Sequence, residues 1–170
     1  MICPTCNFDN LPGNDQCRRC QADLTQLDRP TAQDRFERSL MEETVATLRP
    51  RKAVTLPETA RVGEAIQSML ACDIGAVLIV AADGRLVGIF SERDLLTKVA
   101  SEADYAAKPV RQFMTPNPET VCETNTLAFV LHKLDGGGYR HLPVLRDGLP
   151  VGMISVRDML RHMTRLCNDR

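Results

Sequence analysis

Apolar positions along the chain change period several times, and each change marks an element. From Arg29 to Pro50 the residues Phe36, Leu40, Met41, Val45 and Leu48 recur at helical intervals among charged residues, which predicts a helix starting near Thr31. Ala53 to Leu56 reads as a short strand. Val62, Ala65, Ile66, Met69 and Leu70 then fall at i, i+3, i+4, i+7 and i+8, the stripe of an amphipathic helix. Ala76 to Val80 and Leu86 to Phe90 flank Asp83-Gly84, a pair suited to the positive backbone angles of tight turns, and predict a hairpin. Leu95, Leu96 and Val99 give a closing helix its apolar side. After a connection over Ser101 to Thr115 the series returns: Leu127, Val130, Leu131 and Leu134 on a helix, His141 to Leu145 and Leu149 to Ile154 as a hairpin, and Met159, Leu160, Met163 and Leu166 on a last helix.

The return is visible in the letters. Gly88-Ile89-Phe90-Ser91-Glu92-Arg93-Asp94-Leu95-Leu96 becomes Gly152-Met153-Ile154-Ser155-Val156-Arg157-Asp158-Met159-Leu160, 64 residues later. Upstream, Val45 matches Val110, Leu48 matches Phe113 and Thr55 matches Thr120 at 65, the first copy having one more residue in its hairpin turn. A repeated unit decides the fold before any single motif does. Each copy is too small to bury a sufficient core alone, so the pair should pack side by side with pseudo-twofold symmetry as one α+β domain. Residues 1–28 contain few large apolar side chains and form a separate segment. The expected division is 1–28, a linker helix over 29–44, and a repeat pair over 45–170 with copies at about 45–108 and 109–170.

Bulk properties narrow the function. With 44% hydrophobic and 25% charged residues, net charge -1 and pI ≈ 6.3, the chain lacks the positive field of nonspecific nucleic-acid binders. Its longest apolar run, Ile74 to Ala82, is far short of the ~20 residues that span a bilayer, so no membrane association is expected. Met1-Ile2-Cys3-Pro4 has neither region of a signal peptide, and Cys72, Cys122 and Cys167 are scattered, which points to a cytoplasmic location. The other four cysteines, Cys3-x-x-Cys6 and Cys17-x-x-Cys20, have the spacing of a tetrahedral thiolate site. Zinc is favoured there over iron or free redox thiols. Four thiolates leave no open position, so the metal would be structural, in a small zinc ribbon. Asp9, Asp15, Asp23 and Asp28 against Arg18, Arg19 and Arg29 suit the ribbon to docking a protein better than a phosphate backbone.

The order of elements, the twofold Gly-apolar-apolar-Ser-x-x-Asp and Tyr139-Arg140-His141-Leu142-Pro143-Val144 together resemble a tandem CBS domain pair, named for cystathionine beta-synthase, over about residues 45–166. The resemblance implies two β-α-β-β-α repeats. It also implies that Asp94 and Asp158 accept hydrogen bonds from both hydroxyls of a ribose, with Ser91 and Ser155 on ribose or phosphate. Adenine would lie in a slot made by Val54 to Leu56 with Ile74 to Ala76 in the first copy, which includes Thr55, Gly75 and Ala76. In the second copy the slot would be Thr120 to Cys122, including Val121, with Tyr139 to His141. The implied ligands are AMP, ADP, ATP or S-adenosylmethionine, and a homodimer is implied as well. Taken as residues alone, Ser91-x-x-Asp94 and Ser155-x-x-Asp158 are capping boxes. The readings are compatible, because a helix N-terminus is also where a phosphorylated ligand can be held.

The copies differ in charge. Both keep an Arg before the Asp, Arg93 and Arg157, but the second has Arg140-His141 where the first has Gly75-Ala76, and Met114-Thr115-Pro116 where the first has Leu48-Arg49-Pro50. The second site should therefore favour a phosphorylated nucleotide, the alternative being that Arg140 and His141 are solvated residues at a strand start. Gly136-Gly137-Gly138 has no following Gly-Lys-Ser and reads as a turn. The expected function is a non-catalytic regulatory module that senses an adenosyl ligand and signals to an unidentified protein partner. The alternatives are a ligand-free interaction or scaffold protein and a zinc-ribbon nucleic-acid regulator. Enzyme activity is not expected: His132, His141 and His162 show no partner spacing and the metal site is closed.

Overall fold

A computed structural model describes residues 1–11, 13–25, 32 and 34–168. The chain divides into two compact units, Met1–Arg38 and Ser39–Arg170, so the expected linker over 29–44 is split between them.

The first unit is itself a repeat, of period 14. The Cys3 amide donates to the Phe8 carbonyl at 2.9 Å and the Asn7 amide to the Cys3 carbonyl at 2.9 Å; the Cys17 and Gln21 amides do the same to Ala22 and Cys17 at 2.9 and 2.8 Å. Asn7 and Gln21 close these two turns with φ of 55° and 58°. Bridges of Ile2 with Asp9 and of Gln16 with Asp23 make each turn a small knuckle. Leu24 is fully buried against Cys3 and Cys17. Asn10, also buried, ties the knuckles: its amide donates to the Phe8 carbonyl at 3.0 Å and its Oδ1 accepts from the Arg18 amide at 2.9 Å. The helix start expected near Thr31 lies outside the described residues. Helix α1 runs Arg35–Glu42, with the Glu37 amide donating to Asp34 Oδ1 at 2.8 Å as a cap.

Two four-stranded sheets carry the second unit. The chain forms β1 (Arg51–Lys52), β2 (Thr55–Pro57), α2 (Val62–Cys72), β3 (Ala76–Val80), β4 (Leu86–Ser91) and α3 (Glu92–Asp94), which continues as a π turn over Leu95–Val99. It then forms β5 (Thr115–Pro116), β6 (Val121–Cys122), α4 (Leu127–Gly136), β7 (His141–Arg146), β8 (Leu149–Ser155) and α5 (Val156–Asn168). One sheet has the order β2-β3-β4-β5 and the other β1-β8-β7-β6. Both hairpins have the expected Asp-Gly turns, Gly84 at φ 82° and Asp147-Gly148 at 51° and 79°. Among the described residues no helix is long and apolar enough to cross a membrane.

The strand order shows what the repeat alone does not: each copy lends its leading segment to the other. β1 pairs with β8, Arg51 opposite Met153 and Lys52 opposite Gly152, while β5 pairs with β4, Thr115 opposite Ile89 and Pro116 opposite Gly88. The strand expected over Ala53–Leu56 is β2, shifted to Thr55–Pro57, while the extended pair just before it, Arg51–Lys52, joins the other sheet, the chain crossing between them at Ala53-Val54. The preceding turns cross as well. Val45 and Leu48 pack in the core of Val121, Leu127, Leu142, Val144 and Ile154, and Val110 and Phe113 in the core of Val62, Val77, Ile79 and Phe90. Ala76, Leu78 and Ile89 meet Ala53 and Met153 in a third cluster between the sheets.

Two details of the closing helices differ from the periodicity. Leu96 and Leu160 are 72% and 58% exposed, since each follows a more buried neighbour and a helical step turns a side chain by about 100°. His162, for which spacing shows no partner, is buried on α5 with Nε2 2.8 Å from Ser39 Oγ and 3.5 Å from Glu43 Oε2, and Nδ1 3.0 Å from Arg165 Nη2.

The crossing also explains the glycine of the repeated motif. A Cβ on Gly152 would lie 2.9 Å from Pro50 Cβ and 3.2 Å from the Arg51 carbonyl oxygen; one on Gly88 would lie 3.0 Å from Met114 Cγ. Only a residue without a side chain lets the borrowed segment lie this close. Gly152→Val should lower the stability of the repeat pair by about 2–3 kcal/mol in urea denaturation, as overpacking does; an unchanged midpoint would contradict the crossing geometry.

Candidate functional site

The crossing brings residues far apart in sequence to one cavity of about 390 Å³. Its walls are Arg51, Lys52 and Val54 from the first leading segment, Asp73, Ile74 and Gly75 before β3, Glu92 of α3, Arg140 and His141 at the start of β7, and Met153 through Asp158 with Leu160 and Arg161 at the junction of β8 and α5. That volume lies within the range of small-ligand sites. Of the residues singled out in the sequence, the cavity gathers Ser155, Asp158, Arg140, His141, Arg157 and Gly75.

The others lie elsewhere. Val121 is buried in the core of the second sheet, and the Thr120 carbonyl accepts from Lys133 Nζ at 3.0 Å. Neither lines the cavity, whose apolar wall at Asp158 comes from Val54 and Ile74 of the other copy. The slot implied within the second copy and the cavity at Asp158 are thus different places in the fold. Thr55 lies on β2, paired with Leu78 and exposed; Ala76 is buried between the sheets; Arg93 Nη1 donates to the Gly138 carbonyl at 3.3 Å. Spacing overlooked Arg51, Lys52, Glu92 and Arg161. Arg51-Lys52 was legible as a basic pair, but contiguous repeats place it in the wrong half.

Ser155 and Asp158 form a capping box at the N-terminus of α5. The Ser155 amide and hydroxyl donate to Asp158 Oδ2 at 2.8 and 2.6 Å, and the Asp158 amide returns a 3.4 Å contact to the hydroxyl. Asp158 Oδ1 meets Arg161 Nη1 at 3.3 Å, and the Arg161 side chain is largely exposed, so this pair holds the oxygen weakly. Ser91 and Asp94 repeat the box, with 3.0 and 2.6 Å bonds to Asp94 Oδ2, but Asp94 Oδ1 lies 2.6 Å from Lys98 Nζ and accepts from Thr115 Oγ1 at 3.0 Å. Burial raises the Asp94 pKa, yet Lys98, Ser91 and Thr115 outweigh it and hold the carboxyl below the usual range. Burial lowers the His141 pKa and Arg140 adds to this, while Glu92 and Asp158 pull the other way and Arg157 lowers it further; the net shift is downward. The His141 ring covers Gly75, where a Cβ would come within 3.1 Å of Nε2.

A second constellation lies in the first unit. The sulfurs of Cys3, Cys6, Cys17 and Cys20 all lie within 4.8 Å of one another, with Cys3 to Cys20 and Cys6 to Cys17 at 3.6 Å. Four thiolates at ~2.3 Å from a tetrahedral zinc would be about 3.8 Å apart, so the donor set fits that ion. Arg19 N and Asn10 Nδ2 approach Cys17 Sγ at 3.4 and 3.6 Å. Burial raises the Cys17 pKa, but these donors, the Cys20 amide and the Cys6 thiol bring it down to about 6. The Phe8 amide lowers that of Cys6, but burial and the three neighbouring sulfurs push it up to about 12. A cluster that favours one thiolate and resists another is short of positive charge, which a dication would supply.

Comparison with known proteins agrees with the fold. A family model described as the CBS domain matches residues 45–101 and again 110–165, leaving the cysteine knuckles outside the match. The chain is 34% identical over 120 residues to the CBS domain-containing protein CBSCBSPB5 of Arabidopsis thaliana, covering 70% of this chain but only 22% of that relative. The CBS-domain containing protein ATU1752 from Agrobacterium tumefaciens superposes with TM-score 0.64 at 33% identity, covering 70% of this chain and 95% of that one. The CBS domain protein PAE2072 from Pyrobaculum aerophilum, solved complexed with AMP, superposes with TM-score 0.65 at 29% identity, covering 73% and 98%.

His141 and Asp94 both bind fewer protons folded than unfolded, so acid weakens the fold in two windows: from about pH 6.5 downward for His141, and only near and below about pH 4 for Asp94. Denaturant midpoints should fall between about pH 7.5 and 5.5, and fall less in His141→Gln. Equal pH dependence of the two proteins would contradict the placement of His141.

Proposed function

Because the chain belongs to the CBS domain family, we propose that its repeat pair is a regulatory module that binds a phosphorylated adenine nucleotide in the cavity headed by Asp158. The observation that carries this reading is one carboxylate oxygen, Asp158 Oδ1, held among the described residues by an exposed arginine alone inside a cationic cavity. Two acceptor oxygens suit a vicinal diol. Around them stand Arg51, Lys52, Arg140, Arg157 and Arg161 against Asp73, Glu92 and Asp158, a surplus of two positive charges with His141 neutral. Phosphates match that surplus; S-adenosylmethionine, which carries net positive charge, does not. Val54 and Ile74 offer an apolar surface for a base. The AMP complex of the Pyrobaculum protein supports the ligand class.

The role is binding rather than catalysis: the Ser155 hydroxyl serves the cap of α5, and His141 packs over Gly75 rather than beside a nucleophile. One turn beyond Asp158, α5 grips Ser39 and Glu43 through His162, so a ligand that shifts α5 is felt at α1. The resident ion of the four cysteines is structural zinc, on the fit of the sulfur positions. A homodimer, which the family resemblance implies, belongs to the same reading, with Leu96 and Leu160 exposed at equivalent places in the two halves. A protein partner would read the bound state.

Calorimetric titration should show ADP binding more tightly than S-adenosylmethionine. Asp158→Ala should weaken ADP by tenfold or more, because a charged hydrogen bond contributes about 1.5–3 kcal/mol; Arg140→Ala should weaken ADP and leave adenosine unaffected. Preference for S-adenosylmethionine, or full affinity in Asp158→Ala, would sink the proposal. For the knuckles, native mass spectrometry should find one zinc per chain, lost in Cys17→Ser; iron, or a metal-free protein with intact knuckle amide signals, would count against zinc.

A further inference from the structure

We propose that Lys98 is a built-in occupant of the first half's ligand position, so that the pair takes up nucleotide at Asp158 alone. This rests on the nucleotide reading above and adds its stoichiometry and the residue that sets it. A carboxylate offers about four lone-pair sites. At Asp94 four donors fill them: the Ser91 amide and hydroxyl, Thr115 Oγ1 and the Lys98 ammonium. The Asp94 side chain is 7% exposed, against 22% for Asp158. A ribose diol would have to displace Lys98, whereas the Thr115 hydroxyl can rotate to accept instead of donate; removing an ammonium from so buried a carboxylate leaves a charge without its partner.

Neither of these two donors has a counterpart in the second half. The residue 64 positions after Lys98 is His162, which faces Ser39 and Glu43 instead of Asp158. In the sheet register the equivalent of Thr115 is Arg51, since Thr115 lies opposite Ile89 and Arg51 opposite Met153. Arg51 lines the open cavity. The same ammonium also donates to the Phe113 carbonyl at 3.0 Å and to Thr115 Oγ1 at 3.2 Å, and meets the Met114 carbonyl at 3.5 Å. Lys98 thus fills the site and latches the borrowed segment onto the helix that follows β4 with one group.

The test uses the full chain and Lys98→Met, with Lys98→Gln in its place if that variant does not fold. Two readouts separate this proposal from the nucleotide reading. In amide hydrogen exchange without ligand, residues 113–117 should exchange about tenfold faster in the variant, the loss expected of a charged hydrogen bond. In ADP titration the wild type should bind about one per chain and the variant about two, the second event being new. Wild type taking two, or the variant still taking one, overturns the proposal. If neither protein binds ADP, the nucleotide reading fails by itself and amide exchange decides the latch: faster exchange in the variant upholds it, equal exchange overturns it.

Discussion

Everything in the larger unit depends on one topological constraint, the mutual loan of leading segments between the two repeats. Neither half has a complete core without it: Val45 and Leu48 fill the second, Val110 and Phe113 the first. Units of this size bury too little surface to stand alone, and the crossing makes each core conditional on the other half. It fixes glycine at 88 and 152, where a borrowed strand runs against the sheet. It also builds the cavity, because Arg51 and Lys52 reach Asp158 only by leaving their own copy.

Within that frame two identical capping boxes acquire different chemistry. Each Ser-x-x-Asp satisfies the first turn of its helix in the same way, and a cap of this kind is a structural device first. What differs is the neighbour of the second carboxylate oxygen. On one side a lysine one turn along the helix and a threonine on the borrowed strand close it. On the other, the lysine is replaced by a histidine that turns into the interface with α1, and the threonine by an arginine that faces the cavity. Duplication supplies two equivalent capping boxes; a few side chains outside the motif give their second carboxylate oxygens different partners.

Much of this was legible in the sequence. The hairpins, the amphipathic helices, the Asp-Gly turns and the repeat offset follow from local periodicity and turn chemistry, and the family pattern follows from their order. The basic character of the cavity at Asp158 was legible in Arg140 and His141. What periodicity cannot carry is which sheet a short strand joins. Ala53 to Leu56 reads as one strand of its own copy, and only long-range pairing shows that Arg51–Lys52, just before it, joins one sheet while Thr55–Pro57 joins the other. That ambiguity hides from the sequence that Arg51 and Lys52 line the cavity at Asp158, which Thr120 and Val121 do not. His162 was missed for a related reason, since its partners Ser39 and Glu43 lie more than a hundred residues away. The second repeat, in the knuckles, is present in the letters as Cys-x-x-Cys-Asn and Cys-x-x-Cys-Gln, but metal spacing alone does not show that both turns fold alike.

The account's central claim is that the crossing creates two unequal sites from one motif. A crystal structure of the protein grown with ADP tests it most directly. The account predicts nucleotide density with its ribose on Asp158 and its base between Val54 and Ile74, and Lys98 still paired with Asp94. Nucleotide bound on Asp94 with Lys98 displaced, or equal density at both aspartates, would contradict it.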